Sequence, residues 1–193
     1  MLLIDVSRYR RIVLFILTVL LMSGVIMVFY KSFEVEVNTF VLEVQYKEYS
    51  GLKGTFKYKL PEGWKSVEQK FEGGEIIYHN DFDSEDKSMH GYIQVWNLNR
   101  PLINFIMEGR KSAVGIISFK NYTIEPIKIN GKEAYLLTYS RKDDNNKYIK
   151  GFEVFILQNT TDFSRFAFYM DEHLWKDEYR HFFLDIAATA QFK

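Results

Sequence analysis

The segment that decides the fold is residues 122–139, which read YTIEPIKINGKEAYLLTY. Residues 123–129 and 132–139 are two runs of strand-forming residues, and only Asn130 and Gly131 separate them. This dipeptide favours a type I′ turn, because both central positions of that turn need a positive φ, which asparagine and glycine tolerate. The segment therefore predicts an antiparallel β-hairpin.

Other segments alternate apolar and polar residues with the two-residue period of a strand. The alternation is clearest at 55–60, where Phe56, Tyr58 and Leu60 are separated by lysines. The segment 34–49 alternates with a slip in phase, which indicates either a bulged strand or an extended stalk that joins the sheet. Further strands are predicted at 75–80, 91–96, 149–157 and 163–170.

Two segments predict helices. The first begins at Pro101, whose missing N–H is harmless in the first turn, and Leu102, Phe105 and Ile106 follow with helical spacing. The second covers residues 172–190. Its apolar stripe comprises Trp175, Tyr179, Phe182, Phe183, Ile186 and Ala190. The chain is therefore predicted to be α+β, with six or seven mostly antiparallel strands, one helix in the middle and one at the end.

Several motifs occur in a fixed order along the chain. They are LPEGW at 60–64, GGEIIYHN at 73–80, INGKEAYLLTY at 129–139, KGFEVFI at 150–156 and IAATAQF at 186–192. This set resembles the PsbP-like family, whose fold is shared by the Mog1 proteins, and the resemblance covers about residues 54–192. It implies an antiparallel sheet sandwiched by helices, an α-β-α arrangement. It implies no catalytic residues, because the family has no common catalytic set.

Residues 12–30, IVLFILTVLLMSGVIMVFY, carry no charge over nineteen positions. A helix of that length spans about 28 Å, close to the hydrocarbon thickness of a bilayer. The span has no polar stripe, which argues against a buried core helix, and no small-x-small cleavage site follows it. We predict an uncleaved signal anchor, with a cleaved signal peptide as the alternative.

Lysine and arginine counts around this span predict its orientation. Arg8, Arg10 and Arg11 precede it, while only two lysines lie in the twenty residues after it. The positive-inside rule therefore places residues 1–11 in the cytoplasm and makes the chain a single-pass protein of the cell membrane. Residues 31–53 are then predicted to form a juxtamembrane strand or stalk. Residues 54–193 become a PsbP-like domain outside the membrane.

Composition excludes several classes of function. The chain has 193 residues with 25 basic and 25 acidic side chains, so it lacks the basic excess typical of a nucleic-acid partner. The absence of cysteine excludes disulfides, thiolate metal sites and a cysteine nucleophile. No G-x-S-x-G, H-E-x-x-H or phosphate-loop pattern occurs either. Abundant lysine, isoleucine, asparagine and tyrosine suggest an AT-rich bacterial source.

Acidic residues and two histidines gather between two predicted strands, where the loop HNDFDSED ends the strand at 75–80. Oxygen ligands at alternate positions suit Ca²⁺ or Mn²⁺. If the two strands pair, the two histidines would add nitrogen ligands to the same site. The alternative is a solvated hairpin loop whose charges keep a sheet edge from pairing. No other cofactor is expected. The candidate ligands are His79, Asp81, Asp83, Glu85 and His90.

A second polar pattern lies on the predicted C-terminal helix, where His173, Asp177 and His181 recur at every fourth residue. These three side chains fall on the side opposite the apolar stripe. We interpret them as a solvent-facing row with a weak Asp–His pair, rather than as ligands or a proton relay.

The expected function is that of a non-catalytic binding or assembly module, tethered by one helix outside the membrane. Its expected partner is another membrane or envelope protein, met through a strand edge or an aromatic patch. One alternative is a small-ligand carrier or sensor with a cleft between sheet and helix. Trp64, Trp96, Phe152 and Tyr169 would line such a cleft, or else belong to the core. The other alternative is a metal-dependent hydrolase that uses the acidic loop.

Overall fold

The computed structural model describes residues 44–71, 73–113 and 117–193. The predicted cytoplasmic N-terminus, the span at 12–30 and the first part of the 31–53 segment lie outside the described residues. Within the described part of the chain, neither helix is long and apolar enough to cross a membrane. Residues from Val44 to Lys193 form one compact unit.

The described residues of this unit form ten strands, two α-helices and two short 3₁₀ turns. In chain order the elements are β1 (Tyr46–Gly51), a 3₁₀ turn (Leu52–Gly54), β2 (Phe56–Pro61), β3 (Lys65–Gln69), β4 (Ile76–Asp83), β5 (Met89–Asn97), α1 (Leu102–Ala113), β6 (Phe119–Ile129), β7 (Lys132–Lys142), β8 (Tyr148–Leu157), β9 (Asp162–Asp171), a second 3₁₀ turn (Glu172–Leu174), α2 (Glu178–Ala188) and β10 (Gln191–Phe192).

Seven strands form one antiparallel sheet in the order β3-β4-β5-β9-β8-β7-β6. The predicted hairpin joins β6 to β7, with Ile129 opposite Lys132. Asn130 and Gly131 both have positive φ, at 51° and 79°, so the predicted turn chemistry is confirmed. An α+β fold with a mostly antiparallel sheet is also confirmed.

The prediction of a single sheet was incomplete, because a second antiparallel sheet has the order β1-β2-β10. β1 is the described end of the segment predicted as a strand or stalk, and it pairs with β2 along its whole length. The sequence-based prediction missed two strands, β3 and β10, and made several others too short, β6 among them. β3 has only one apolar residue, β10 has two residues, and β6 begins at Phe119 rather than at 123.

Both faces of the seven-stranded sheet are packed, as the α-β-α arrangement requires. On one face, the three-stranded sheet and α2 bury a large aromatic core around Phe56, Phe168 and Phe183. On the other face, α1 covers a smaller core around Phe155 and Phe163. Because α1 covers only a smaller core, polar side chains occupy part of the sheet face on which α1 packs.

The predicted C-terminal helix begins later and ends earlier than expected. Glu172–Leu174 is a separate 3₁₀ turn, and α2 covers only Glu178–Ala188. The apolar stripe is nevertheless confirmed, since Phe183 and Ile186 are fully buried and the other members pack against the same core. The Phe183 ring is stacked on that of Phe168, with 4.2 Å between the ring centroids.

Candidate functional site

The candidate metal ligands lie on β4, β5 and the turn between them. β4 continues through Asp83, so the predicted loop shrinks to residues 84–88. His79, Asp81 and Asp83 share one face of β4, and His90 stands opposite Asp83 on β5. Glu85 is exposed in the turn. The sheet thus brings four of the five residues to one face.

Two of the candidate ligands, His79 and Asp81, are hydrogen-bonded to neighbouring side chains. His79 donates from Nε2 to Asp81 at 2.7 Å and accepts at Nδ1 from Gln94 at 2.8 Å. In the turn, Asp86 accepts hydrogen bonds from Ser84 and from Ser88. Across the described ranges, no three His, Asp or Glu side chains are grouped in a way that would hold a metal ion. Binding of Ca²⁺ or Mn²⁺ here stays a prediction.

The predicted solvent-facing row is exposed, as expected, but it does not lie on one helix. His173 belongs to the 3₁₀ turn, Asp177 precedes α2, and only His181 is within the helix. The nearest carboxylate to His173 is Asp171, at 3.8 Å. Nothing in this geometry resembles a relay.

A polar cluster that the sequence did not reveal lies on the α1 side of the sheet. We call Glu153, Arg165, Tyr139 and Tyr169 the Glu153 cluster. The Glu153 side chain is only 1% exposed. Its Oε1 accepts from the Tyr139 and Tyr169 hydroxyls at 2.7 and 3.0 Å, and its Oε2 accepts from Arg165 Nε and Nη2 at 2.8 and 2.6 Å.

Strand register explains why these four side chains meet. Glu153 on β8 stands opposite Ala167 on β9, whose small side chain leaves space. Arg165 and Tyr169 lie two residues on either side of Ala167, on the same face, and reach Glu153 diagonally. Gly151 on β8 lies opposite Tyr139 on β7, and a Cβ there would lie 2.5 Å from the Tyr139 ring. Glycine therefore allows this ring to cross β8.

Aromatic rings hold the Arg165 guanidinium in place. Its central carbon lies 5.0 Å from the Tyr92 ring centroid and 5.2 Å from that of Phe155. The Tyr92 hydroxyl is 3.2 Å from that of Tyr169 and extends the network by one hydrogen bond. These contacts leave the buried charge paired, hydrogen-bonded and stacked, as a buried ion pair requires.

The electrostatics of the cluster keep its protons fixed. Burial and the Glu153 charge both raise the pKa of Tyr139 and of Tyr169. Burial is the largest single influence on the pKa of Arg165 and lowers it, but the Glu153 carboxylate together with the Tyr92 and Tyr169 side chains raises it by more, so the net shift is upward. The tyrosines therefore remain donors and the arginine remains charged at neutral pH. Such a cluster is suited to binding and positioning rather than to proton transfer.

A cavity of about 160 Å³ lies between α1 and this cluster. Tyr139, Glu153 and Arg165 form its polar floor, and Arg110 and Tyr122 add polar groups beside them. Its apolar wall comprises Phe105, Ile106, Phe119, Leu137 and Phe155. This is the cleft between sheet and helix that the small-ligand interpretation expected.

None of the four aromatic residues proposed to line such a cleft is among the residues that line this cavity, although Tyr169 belongs to the cluster beside it. Phe152 is buried in the large core, and Trp64 stacks on Phe82. Trp96 packs against Phe163 beneath α1. One signal in the sequence pointed to the missed site: KGFEVFI places a single glutamate inside an apolar strand, where a charge needs a partner.

The chain resembles known proteins in its fold alone. No protein-family model and no curated protein sequence matches the chain. Among solved structures, it is similar to cyanobacterial PsbP (CyanoP) from Synechocystis sp. PCC 6803, with a TM-score of 0.57 and 15% identity, covering 78% of this chain and 94% of that one. The fold is PsbP-like.

A second similar structure is a protein from Bacteroides thetaiotaomicron VPI-5482. The TM-score is 0.51 at 12% identity, and the match covers 76% of this chain but only 48% of the other. The chain therefore spans about half the length of that protein. The PsbP-like fold agrees with the resemblance of the strand-end motifs, and at these identities it carries no site residues across.

Proposed function

We propose that the chain is a membrane-anchored, extracytoplasmic, non-catalytic module that binds or assembles with another membrane or envelope protein. The PsbP-like fold supports a non-catalytic assembly-type module. The uncharged segment at 12–30 and the arginines before it support the anchor and its orientation. The Glu153 cluster supports binding over catalysis, because its protons are fixed.

The observation that carries the proposal is the exposed edge of the seven-stranded sheet. β3 pairs with β4 on one side and, within the described chain, with no strand on the other. Three large apolar side chains stand exposed beside this edge: Val67 by 58%, Phe71 by 54% and Ile77 by 45%. Val67 lies on β3 itself, Phe71 follows its end and Ile77 lies on the neighbouring β4. Several exposed apolar residues at an unpaired sheet edge are typical of a surface that a partner covers.

The two edges of this sheet differ in how well they are protected. β6, at the other edge, has a bulge between Lys120 and Thr123 and carries Pro126, which cannot donate to a ladder. β3 has neither feature. A groove of about 530 Å³ runs beside β3 and β4, with Leu52, Phe71 and Ile77 among its lining residues. The partner contributes an extended segment that lies along β3.

Photocrosslinking from β3 tests this proposal in the full-length chain. A photoreactive residue at Gln69, which is exposed on β3, should crosslink to one membrane or envelope protein in the native membrane. Val67→Lys should abolish the crosslink, because a lysine placed on an edge strand opposes pairing. The matched control is Tyr148→Lys, which changes a residue exposed by 39% on β8, four strands away.

The results distinguish a partner bound at the β3 edge from a partner bound elsewhere on the surface. Loss of the crosslink in both lysine variants would indicate general damage rather than an interface at β3. A crosslink that survives Val67→Lys would place the partner elsewhere, and no crosslink to any membrane or envelope protein would overturn the proposal.

Anchoring is tested separately. The full chain should remain in membranes during alkaline carbonate washing, whereas a truncated chain beginning at Lys31 should be released. Protease added outside cells stripped of their wall should degrade the folded domain. A native protein whose N-terminus lies beyond Tyr30 would show that the segment is a cleaved signal peptide.

A further inference from the structure

We propose that the cavity beneath α1 binds a small monocarboxylate with a planar apolar body, of the size of an aromatic acid. This inference goes beyond the assembly function. The cavity lies on the side of α1 that faces the sheet and does not involve the β3 edge. It rests on the size of the cavity, on its apolar walls and on the excess positive charge around it.

The volume and walls of the cavity set the size and shape of the ligand. Apolar cavities of about 150 Å³ admit a benzene-sized molecule, so about 160 Å³ accommodates one six-membered ring with a short polar substituent. Phe105, Phe119 and Phe155 supply ring faces and edges against which a planar ligand packs.

The charges around the cavity set the sign of the ligand. Arg165 is neutralised by Glu153, whose two oxygens already accept four hydrogen bonds. Arg110 lies with its guanidinium carbon 4.8 Å from the Tyr122 ring centroid and pairs with no acidic side chain in the described residues. The lining therefore carries one uncompensated positive charge, which one carboxylate would neutralise.

Unused donors show how a carboxylate would be held. The Arg165 Nη1 and the Tyr122 hydroxyl both belong to residues that line the cavity, and neither has a hydrogen-bond partner within the described ranges. Together with the Arg110 guanidinium they supply three donor groups. A cation would find no free carboxylate there, because Glu153 is fully engaged.

Titration calorimetry of the full-length chain with benzoate, benzamide and benzylamine tests the inference. These probes share a ring and differ in charge, so only benzoate should bind measurably. Arg110→Gln should weaken benzoate binding at least tenfold, the usual loss for a hydrogen bond to a charged group. The matched control is Lys111→Gln, which removes the next positive charge on α1 without touching this cavity.

A second variant separates loss of the site from loss of the fold. Gly109 lines the cavity, and a Cβ there would meet nothing within 4 Å. Gly109→Leu should therefore block the cavity while raising helix propensity, so benzoate binding should disappear with no fall in the melting temperature. Equal binding of benzamide, unchanged binding in Arg110→Gln, or no binding of benzoate to the unaltered chain would each overturn the inference.

Discussion

The Glu153 cluster offers the sharpest test of the structure. Glu153→Gln keeps the length of the side chain and one acceptor oxygen, but it removes the charge that Arg165 needs. The Glu153 side chain is 1% exposed and that of Arg165 is 19% exposed, so water compensates for the lost charge only in part. Removing one partner of a buried ion pair costs about 3–5 kcal/mol, and we expect a loss of that size in the free energy of unfolding.

The measurement is equilibrium unfolding in urea, with the free energy taken by linear extrapolation and the slope compared between variants. The matched control is Glu125→Gln. Its pair with Arg180 has a similar distance of 2.9 Å, but the two side chains are 46% and 39% exposed. An exposed pair of this kind contributes less than about 1 kcal/mol, so the control should unfold almost like the unaltered chain.

A double variant tests whether the loss comes from the unpaired charge. Adding Arg165→Met to Glu153→Gln removes the charge that was left alone, so the double variant should be more stable than Glu153→Gln by at least about 1 kcal/mol. A Glu153→Gln loss no larger than that of Glu125→Gln would refute the buried pair. Additive losses in the double variant would show that the two side chains do not depend on each other.

Three further predictions concern the core, the hairpin and the acidic turn. Phe183→Ala should cost about 3–5 kcal/mol in urea unfolding, while Phe182→Ala, at a half-buried position, should cost clearly less; equal losses would contradict the depth of Phe183. Gly131→Val should cost more than about 1 kcal/mol in the free energy of unfolding, because the φ of residue 131 is 79°, which valine resists. The added Cβ would meet no other atom within 4 Å, so the cost comes from the backbone and not from a clash. An unchanged melting temperature would exclude the type I′ turn. Hydrogen bonds from Ser84 and Ser88 lower the pKa of Asp86. The charged Asp86 side chain therefore stabilises the folded chain above about pH 4, and this stabilisation is lost as the pH falls through the lowered pKa. Asp86→Asn should therefore destabilise the chain slightly at neutral pH and not at pH 2, and an equal loss at both would exclude a role for the charge.

Most of the elements were predictable because their signals are local. The β6–β7 hairpin follows from Asn130-Gly131, and α2 follows from an apolar stripe with helical period. β3 and β10 were not predictable, because one has a single apolar residue and the other has only two residues. Both are held as strands by the neighbours with which they pair.

The sequence by itself determined the strand-rich α+β class, the hairpin turn and the two helices, because each depends on residues within a few positions of one another. Only the tertiary structure decided the site. Tyr139, Glu153, Arg165 and Tyr169 come from three strands, and their meeting depends on the register of β7 against β8 and of β8 against β9. A shift of one residue in either register would turn a member of the cluster to the opposite face of the sheet, since side chains alternate along a strand. That register becomes definite only when the sheet packs against the large aromatic core on its other face, which brings together residues far apart in the sequence.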